Sequence, residues 1–241
     1  MKSNNNSLYI VMPAYNEEQN IEKTIKEWYP VLKYANNKSK LIIADSGSTD
    51  NTHKILTNLK SKYKKLEIIS DTKKEHGPKL IYLYKYAISN NIDYIFQTDS
   101  DGQTNPKEFK DFWKNRNNYD IILGNRTKRQ DQKYRTFIEK VVCLLLKLYF
   151  NINVPDANAP FRLMKSNILK KYINKIPDTY NIPNIILTAY FVYNKESVLF
   201  KEISFKPRTK GKNSINIKKI LKIGFKSLSD FKYFKKEMYY E

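Results

Sequence analysis

The chain has very little cysteine and histidine. Among its 241 residues there are one cysteine, Cys143, and two histidines. A single cysteine cannot form an internal disulfide, and so few thiol and imidazole groups cannot build a His/Cys zinc cluster. We therefore expect any bound metal ion to be held by oxygen atoms.

Long hydrophobic runs are also missing. The first apolar run, residues 8–12, is too short and poorly flanked for a signal peptide. The nearest candidate for a membrane span, residues 141–146, has charged neighbours and falls far short of the roughly 20 apolar residues that cross a bilayer. We expect a cytoplasmic protein that does not span the membrane.

The charge balance is strongly basic. The chain has 44 Lys and Arg against 24 Asp and Glu, a formal net charge of +20. Such an excess indicates an anionic partner, which can be nucleic acid, anionic lipid or a phosphorylated substrate. A nucleic-acid-binding protein should carry a basic stripe interleaved with exposed aromatic residues. The most distinctive residues here are acidic, so no nucleic-acid partner is expected.

The first half of the chain has the pattern of βαβ units. Short β-branched runs alternate with segments of helical period, which predicts an α/β domain with a mostly parallel sheet. The predicted strands are residues 8–12, 41–44, 66–70, 94–97 and 120–123. The predicted helices lie at 21–32 with an Asn16 cap, from 48–50 onward, through 80–88, and from Pro106 with an Asn105 cap.

The second half is organised differently. The regular alternation ends after Arg126, and no internal repeat or low-complexity linker is present. We predict one catalytic domain over residues 1–212, followed by a basic amphipathic helical segment over residues 213–241. The oligomeric state is left open.

Polar segments follow four of the predicted strands. In an open α/β sheet, ligands bind beyond the carboxyl ends of the strands, so these segments should meet in one cleft. They are residues 13–17, 45–50, 98–103 and 124–126.

Asp99 and Asp101 are the strongest candidates for metal binding. They place two carboxylates on one side of an extended strand end, and Gln103 offers another oxygen. Mg²⁺ and Mn²⁺ take such ligands together with substrate phosphates, and the ion then neutralises charge on a departing diphosphate. An isolated Asp-x-Asp-Gly is usually a simple turn, but its position after a buried strand favours a metal site.

The second polar segment leads into a predicted helix. Backbone N–H groups at this helix N-terminus, beside Asp45, can receive part of a nucleotide, although Ser48 or Thr49 can equally be ordinary helix caps. Tyr15 can stack on a base or a sugar, or simply pack.

Five motifs together resemble a known family. They are Pro13-Ala14-Tyr15-Asn16-Glu17, Asp45-Ser46-Gly47-Ser48-Thr49-Asp50, Asp99-Ser100-Asp101-Gly102-Gln103, Gly124-Asn125-Arg126 and Asp156-Ala157-Asn158-Ala159-Pro160-Phe161-Arg162. Their order and spacing resemble glycosyltransferase family two, and most closely the polyprenol-phosphate sugar transferases of the dolichol-phosphate mannosyltransferase type. The resemblance extends over nearly the whole chain.

The resemblance implies a glycosyltransferase-A fold, an inverting reaction and a role for each motif. The nucleotide-sugar site would comprise Pro13, Ala14, Tyr15, Glu17, Asp45, Ser46, Asp99, Ser100 and Gln103. The metal would be held by Asp99, Asp101 and Gln103. Phosphates would be contacted by Arg126, Arg162, Arg208 and Lys212, since arginine pairs well with phosphate oxygens. The catalytic residues would be Asp101, Asp156, Arg126 and Arg162.

The chain departs from the family pattern at two places. Ser46 stands where many members have a second aspartate, so a carboxylate contact to the base is in doubt. Ala159-Pro160-Phe161-Arg162 replaces the usual Ser-Gly-Phe-Arg, which makes the acceptor-side loop stiffer and removes a hydroxyl. The donor is therefore open between UDP- and GDP-sugars.

The acceptor is indicated by a missing acid. A sugar hydroxyl needs a general base, which sugar-acceptor relatives commonly keep in the region that here lies between Asp178 and Glu196. This region has no acidic residue. A phosphate acceptor, with a second pKa of about 6, needs no base. We predict a polyprenol-phosphate acceptor; the alternative is a hydroxyl of a growing surface glycan, with Asp156 or Asp178 as the base.

Two segments suggest contact with a membrane. Residues 137–150 are mostly apolar, and residues 217–232 alternate apolar and lysine residues. A basic amphipathic helix can lie on anionic lipid, although it can also simply cover its domain. We expect a peripheral enzyme at the inner face of the membrane.

Overall fold

A computed structural model of the chain describes residues 5–129, 133–208, 210 and 229–238. Seven strands form one sheet, in the order β3-β2-β1-β4-β6-β5-β7. The strands are β1 Leu8–Ala14, β2 Lys40–Asp45, β3 Leu66–Ile69, β4 Tyr94–Thr98, β5 Ile121–Arg129, β6 Phe161–Lys165 and β7 Val198–Phe205. The helices are α1 Ile21–Trp28, α2 Thr52–Lys62, α3 His76–Ser89, α4 Phe109–Asn115, α5 Lys133–Phe150, α6 Ser166–Ile173 and α7 Pro183–Tyr193.

Strands β1 to β4 form a parallel half-sheet. β1 pairs in parallel with β2 and β4, and β2 pairs in parallel with β3. Every residue of β1 is buried, as expected for a parallel strand covered by helices on both faces. The predicted α/β class with a mostly parallel sheet is confirmed.

The antiparallel strand β6 lies between β4 and β5. Thr98 is opposite Phe161, and Leu123 is opposite Arg162. Because β6 runs against its neighbours, its first residue lies at the edge where β4 ends. The loop that precedes β6 therefore borders the carboxyl ends of the parallel strands. β5 continues the sheet by pairing in parallel with β7.

Two hydrophobic cores cover the two faces of the sheet. Tyr9 and Val11 point to the face covered by α3, α5, α6 and α7. Leu8, Ile10 and Met12 point to the other face, which is covered by α1, α2 and α4. This alternation follows from the two-residue repeat of a strand, and it assigns each side chain at a strand end to one side of the cleft.

Several predicted boundaries are wrong. Asn16 does not cap α1: it has a φ of 53°, and α1 begins at Ile21. The predicted helix 21–32 changes at Tyr29 into a 3₁₀ helix, Tyr29–Tyr34, since Pro30 cannot donate the next α-helical hydrogen bond.

Other predicted boundaries differ in smaller ways. α2 starts at Thr52, after the predicted residues 48–50. β5 continues to Arg129, so Gly124-Asn125-Arg126 lies within a strand and not after it. The Asn105 cap is confirmed, because its side chain accepts the N–H of Lys107 at the start of the 3₁₀ helix Pro106–Glu108.

The C-terminal region is described only in part. Residues 229–238 are helical, and Phe231, Phe234 and Met238 pack into the core on the α7 side. The predicted boundary at 212/213 and the lysine-rich stretch up to residue 228 lie outside the described residues. None of the described helices is both long and apolar enough to cross a membrane.

Candidate active site

The first three polar motifs meet at the carboxyl edge of β2, β1 and β4. Ser100 Oγ donates to the carbonyl oxygen of Pro13 at 2.8 Å. The backbone N–H groups of Asn16 and Glu17 donate to the hydroxyls of Ser48 (3.0 Å) and Thr52 (2.7 Å). These contacts join three separate turns into one rigid edge.

Asp99 and Asp101 lie at the tip of β4. Asp101 Oδ1 accepts the N–H of Gln103 at 3.1 Å, and Gly102 has a φ of 75°, which closes the turn. Burial, followed by repulsion from Asp99, raises the pKa of Asp101 to about 7. The two acids therefore concentrate more negative charge than the chain alone stabilises.

This acidic pair fits a hard divalent cation. Among the described residues, no group of three or more His, Cys, Asp or Glu is arranged to hold a metal ion. Mg²⁺ and Mn²⁺ commonly use one or two carboxylates and complete their coordination with water and substrate phosphates. The donor set at Asp99 and Asp101 matches that pattern.

Gln103 has a second contact besides Asp101. Its side-chain Nε2 donates to the carbonyl oxygen of Lys206 at 2.7 Å, and Lys206 N donates back to the carbonyl oxygen of Gln103 at 2.9 Å. Gln103 thus attaches the acidic turn to the segment that follows β7. The described contacts give it this attachment; metal ligation by Gln103 stays a prediction.

On the nucleotide side, Asp45 and Ser46 are both buried and both engaged. Asp45 accepts a hydrogen bond from Ser48 Oγ and lies 3.2 Å from His53 Nδ1. Ser46 Oγ contacts Thr72 Oγ1 at 2.6 Å and donates to the carbonyl oxygen of Ser70 at 3.0 Å. The Ser46 hydroxyl therefore faces the end of β3.

Lys79 is a buried cation that the sequence analysis missed. Its Nζ donates to the carbonyl oxygens of Ala14 at 2.5 Å and Ser46 at 3.0 Å, and it lies 5.5 Å from the centroid of the Tyr15 ring. Burial lowers the pKa of Lys79 to about 8. The sequence does contain one indication that Lys79 is buried: it lies four residues before Leu83, and therefore on the apolar face of α3.

Arg208 lies against the first polar motif. Its NH2 donates to Glu17 Oε2 at 2.8 Å, in an ion pair that is mostly buried. Asn20 Nδ2 donates to the same Glu17 oxygen at 2.8 Å. Both predicted site residues, Glu17 and Arg208, are thus brought together, while Lys212 lies outside the described residues.

Arg126 and Asp156 form a bidentate pair on the other side of the site. Arg126 Nε and NH2 donate to the two oxygens of Asp156 at 2.7 and 2.8 Å, and Arg126 NH2 also contacts Glu139 at 3.0 Å. Burial tends to raise the pKa of Asp156, but the hydrogen bonds and charge of Arg126 outweigh it and hold this pKa below its usual range. Asp156 is therefore a poor proton acceptor.

Arg162 is buried beside the loop that precedes β6. It is 0% exposed, and it donates to the carbonyl oxygens of Ala159 (3.0 Å) and Ala157 (2.7 Å) and to Thr188 Oγ1 (2.7 Å). These contacts shape the loop before β6. The described contacts give Arg162 a role in supporting that loop, while its NH1 is buried without a hydrogen-bond partner among the described residues. The predicted contact of Arg162 with phosphate or reacting atoms stays a prediction.

The sheet with an acidic pair at its carboxyl edge, beside a nucleotide-type turn, defines a glycosyltransferase of the glycosyltransferase-A fold that uses a nucleotide-sugar donor. The chain belongs to glycosyl transferase family 2, whose model matches residues 9–173. The predicted family, enzyme class and fold are confirmed.

Curated relatives match most of the chain. A glycosyltransferase from Synechocystis is 26% identical over 93% of this chain and 69% of its own length. An undecaprenyl-phosphate 4-deoxy-4-formamido-L-arabinose transferase from Photorhabdus laumondii is 23% identical over 67% of this chain and 50% of its own. A dolichyl-phosphate beta-glucosyltransferase from Trichomonas vaginalis is 24% identical over 66% and 54%.

Solved structures share the fold at low identity. Glucosyl-3-phosphoglycerate synthase from Mycobacterium tuberculosis with phosphoglyceric acid has a TM-score of 0.67 at 15% identity, over 95% of this chain and 80% of that one. The same enzyme with Mn²⁺, UDP and glucosyl-3-phosphoglycerate has a TM-score of 0.64 at 16% identity, over 91% and 76%. At these identities the likeness shows the fold alone.

Proposed function

We propose that this enzyme transfers a sugar, with inversion, from a UDP- or GDP-sugar to a polyprenol phosphate at a membrane surface. Asp99 and Asp101 hold Mg²⁺ or Mn²⁺ on the donor diphosphate. The observation that carries the proposal is the partly buried acidic pair at the tip of β4, between the nucleotide-side turns and the Arg126–Asp156 pair. The finer assignment to the polyprenol-phosphate transferases belongs to this proposal.

On the donor side, the chain's residues bind and orient the nucleotide. Tyr15 and the Asp45–Ser46 turn lie beside one another at the ends of β1 and β2, where a base and ribose would rest. A bound divalent cation would neutralise the charge that grows on the departing diphosphate. The M. tuberculosis enzyme, whose structure contains Mn²⁺ together with UDP, supports this use of the acidic pair.

On the acceptor side, the two acids that the sequence predicts as alternative general bases are paired with cations. Asp156 is held by Arg126 at 2.7 Å, and Asp178 by Lys85 at 2.7 Å. α7 contributes Asn184 and no carboxylate. An anionic phosphate oxygen attacks without losing a proton: it forms a bond to the anomeric carbon while the bond to the diphosphate breaks. The two relatives named for lipid-phosphate acceptors support this choice.

The outer face of α5 supports a position at the membrane. Phe137, Val141, Leu144 and Leu148 recur at helical spacing, and the first and last are 68% and 67% exposed. Exposed lysines of α5 lie beside this apolar face. An apolar helical face with basic neighbours is the pattern of a helix that lies in the headgroup region of anionic lipid.

The donor is identified first. Purified protein is screened with UDP- and GDP-sugars and Mn²⁺, because a ligand that binds only the native state raises its melting temperature. The stabilising donor is then used in transfer assays with polyprenyl phosphate and with polyprenol lacking the phosphate. We expect product with polyprenyl phosphate and none with the unphosphorylated polyprenol. Chelation of the metal should abolish transfer to polyprenyl phosphate.

Two outcomes would contradict the proposal. Transfer only to an oligosaccharide would overturn the lipid-phosphate acceptor and favour the glycan alternative. Full transfer after exhaustive chelation would overturn the metal site.

A further inference from the structure

A series of hydrogen bonds, here called the relay, runs from Tyr84 through Asn184 and Gln97 to Asp99. Tyr84 Oη donates to Asn184 Oδ1 at 2.8 Å, Asn184 Nδ2 donates to Gln97 Oε1 at 3.1 Å, and Gln97 Nε2 donates to Asp99 Oδ1 at 3.1 Å. Tyr84 and Gln97 are fully buried and Asn184 is 3% exposed. The relay thus joins α3, α7 and β4 through the core.

The direction of each bond is determined by the two ends. An ionised aspartate only accepts hydrogen bonds, so Gln97 must present its N–H groups to Asp99 and its oxygen to Asn184. Asn184 must then present its N–H groups to Gln97 and its oxygen to Tyr84. Burial raises the pKa of Tyr84, which keeps its hydroxyl protonated and able to donate.

One face of α7 contacts both Gln97 and Arg162, which are opposite each other on neighbouring strands. Gln97 is opposite Arg162 in the β4–β6 register. Asn184 and Thr188, one helical turn apart, contact Gln97 and Arg162 respectively. Buried amides cost free energy unless their partners are supplied, so this face of α7 has a specific polar complement in the sheet.

The two hydrogen-bond contacts of the Asp99 side chain within the described residues go to one oxygen. Gln97 Nε2 and His76 Nε2 both lie near Oδ1, at 3.1 and 3.4 Å. Within the described part of the chain, Oδ2 has no hydrogen-bond partner. The carboxylate is therefore held at Oδ1 by the buried Gln97 amide and by His76, and the Asp99 side chain keeps 27% of its surface exposed, so a ligand can reach it.

We propose that Gln97, Asn184 and Tyr84 are positioning residues that hold the Asp99 carboxylate ready for the donor's cation. This inference rests on the proposed function, in which Asp99 is a metal ligand. α7 then serves the donor side: it supplies a neutral amide that orients a metal-binding acid. The relay moves no proton, because each member keeps its protonation state.

The first test measures Mn²⁺ binding by electron paramagnetic resonance, in which free Mn²⁺ gives the signal, with the nucleotide diphosphate present. Gln97→Met removes the bond to Asp99 with an unbranched side chain of similar length. Asn184→Leu leaves Asp99 and Gln97 in place but frees the Gln97 amide to turn. We expect both to weaken Mn²⁺ binding about tenfold or more, the usual effect of losing a partner of a metal ligand.

Two further variants calibrate this result. Tyr84→Phe deletes only the first donor, so it should weaken Mn²⁺ binding less than Asn184→Leu, and it removes too little volume to prevent folding. Asn194→Leu makes the same exchange at the C-terminal end of α7, where Asn194 Nδ2 contacts the carbonyl oxygen of Tyr190 at 2.9 Å. This control should bind Mn²⁺ like the unmodified enzyme.

A second measurement needs no metal. In the nuclear magnetic resonance spectrum, the side-chain NH₂ groups of Gln97 and Asn184 should exchange slowly with solvent, and Asn184→Leu should shift the Gln97 signal. If the unmodified protein binds no Mn²⁺, the proposed metal site fails while these signals still test the relay. Fast exchange, or equal Mn²⁺ affinity in Asn184→Leu and Asn194→Leu, would overturn the relay itself.

Discussion

Glu139 on α5 and Arg126 on β5 form an ion pair with a distance of 3.0 Å between Oε2 and NH2. The other oxygen of Glu139 accepts the N–H of Ala157 at 2.8 Å. One carboxylate thus connects the helix with the exposed apolar face, the strand that carries Arg126 and the loop before β6. Burial, followed by repulsion from Asp156, raises the pKa of Glu139. The protonation of Glu139 therefore responds to changes in the neighbouring charges.

Glu139→Gln tests this connection. The glutamine oxygen can still accept from Ala157, while its NH₂ group faces Arg126 NH2. The guanidinium then loses the Glu139 carboxylate and keeps only its pair with Asp156. We expect the KM for the acceptor to rise several-fold with an unchanged KM for the donor.

The only cysteine supplies an independent readout for the same variant. Burial, followed by the charge of Glu139, raises the pKa of Cys143 to about 12. Removing that charge should lower the pKa and speed alkylation of the thiol at mildly alkaline pH. Lys140→Gln, at the exposed next position, is the control. Unchanged alkylation together with unchanged acceptor KM would refute the connection.

Asp101→Asn should reduce transfer to background without unfolding the protein. The asparagine oxygen can still accept the N–H of Gln103, so the turn is retained, but the second negative charge for the cation is lost. The melting temperature without metal should not fall, since the charge that is removed is partly buried and close to Asp99. Asp111→Asn, at a half-exposed ion pair with Lys201, is the control. Normal turnover of Asp101→Asn with metal present would exclude the metal role.

Arg208→Ala should slow transfer because it removes the cation that lies across the donor side. Its ion pair with Glu17 also disappears, so Glu17→Gln is measured beside it. If Arg208 contacts phosphate, its loss should exceed that of Glu17→Gln; if it acts only through Glu17, the two losses should be equal. Lys210→Ala serves as the control, since this side chain is exposed. Unaltered kinetics of Arg208→Ala would rule out a role in transfer.

Lys79 predicts a pH dependence of stability. Its pKa falls from 10.5 to about 8 on folding, so between these values the unfolded chain binds more protons than the native state. The free energy of unfolding should therefore rise with pH in this window, by at most about 1.4 kcal/mol per pH unit from this group. Below pH 8 the full cost of burying the charge is present.

Urea unfolding at several pH values measures this effect, with Lys79→Met as the reference. The difference in unfolding free energy between the native enzyme and Lys79→Met should change with pH only above about 8. A difference that stays constant up to the ordinary lysine pKa would show that Lys79 is not buried as described.

The α5 face predicts binding to anionic vesicles. Phe137→Ser with Leu148→Ser should reduce co-sedimentation with phosphatidylglycerol-containing vesicles at least tenfold, because about 2 kcal/mol of apolar burial is lost for each side chain. Stability should change by only about 0.5 kcal/mol per site, since both side chains are exposed. Tyr82→Ser, on α3, is the control. Equal sedimentation of the double variant and the unmodified enzyme would exclude this surface.

The parallel half of the fold was predictable from local pattern. β1 to β4 lie within two residues of the predicted runs, because buried parallel strands are apolar runs bounded by turns. β6 was missed because its place depends on pairing between residues far apart, such as Thr98 and Phe161. Such long-range pairing leaves no local periodic signal.

The site residues that belong to sequence motifs were predictable, whereas those brought to the site only by tertiary packing were missed. Asp99 and Asp101 follow a strand, and that order is visible in the sequence. Lys79 and Glu139 look like ordinary charged positions on amphipathic helices, and only the fold brings them against Ser46 and Arg126. Arg162 is a motif residue whose full burial in the sheet could not be read from the sequence.

The insertion of β6 between β4 and β5 has a consequence for how the protein is made. Among the described residues, β5 is joined by backbone pairing to the first half of the sheet only through β6, which is synthesised some 30 residues later. While the ribosome is still adding that stretch, β1 to β4 can already pair with one another, whereas β5 has no partner strand. Truncation before Phe161 should thus leave an aggregation-prone intermediate with an exposed strand edge and no acceptor half.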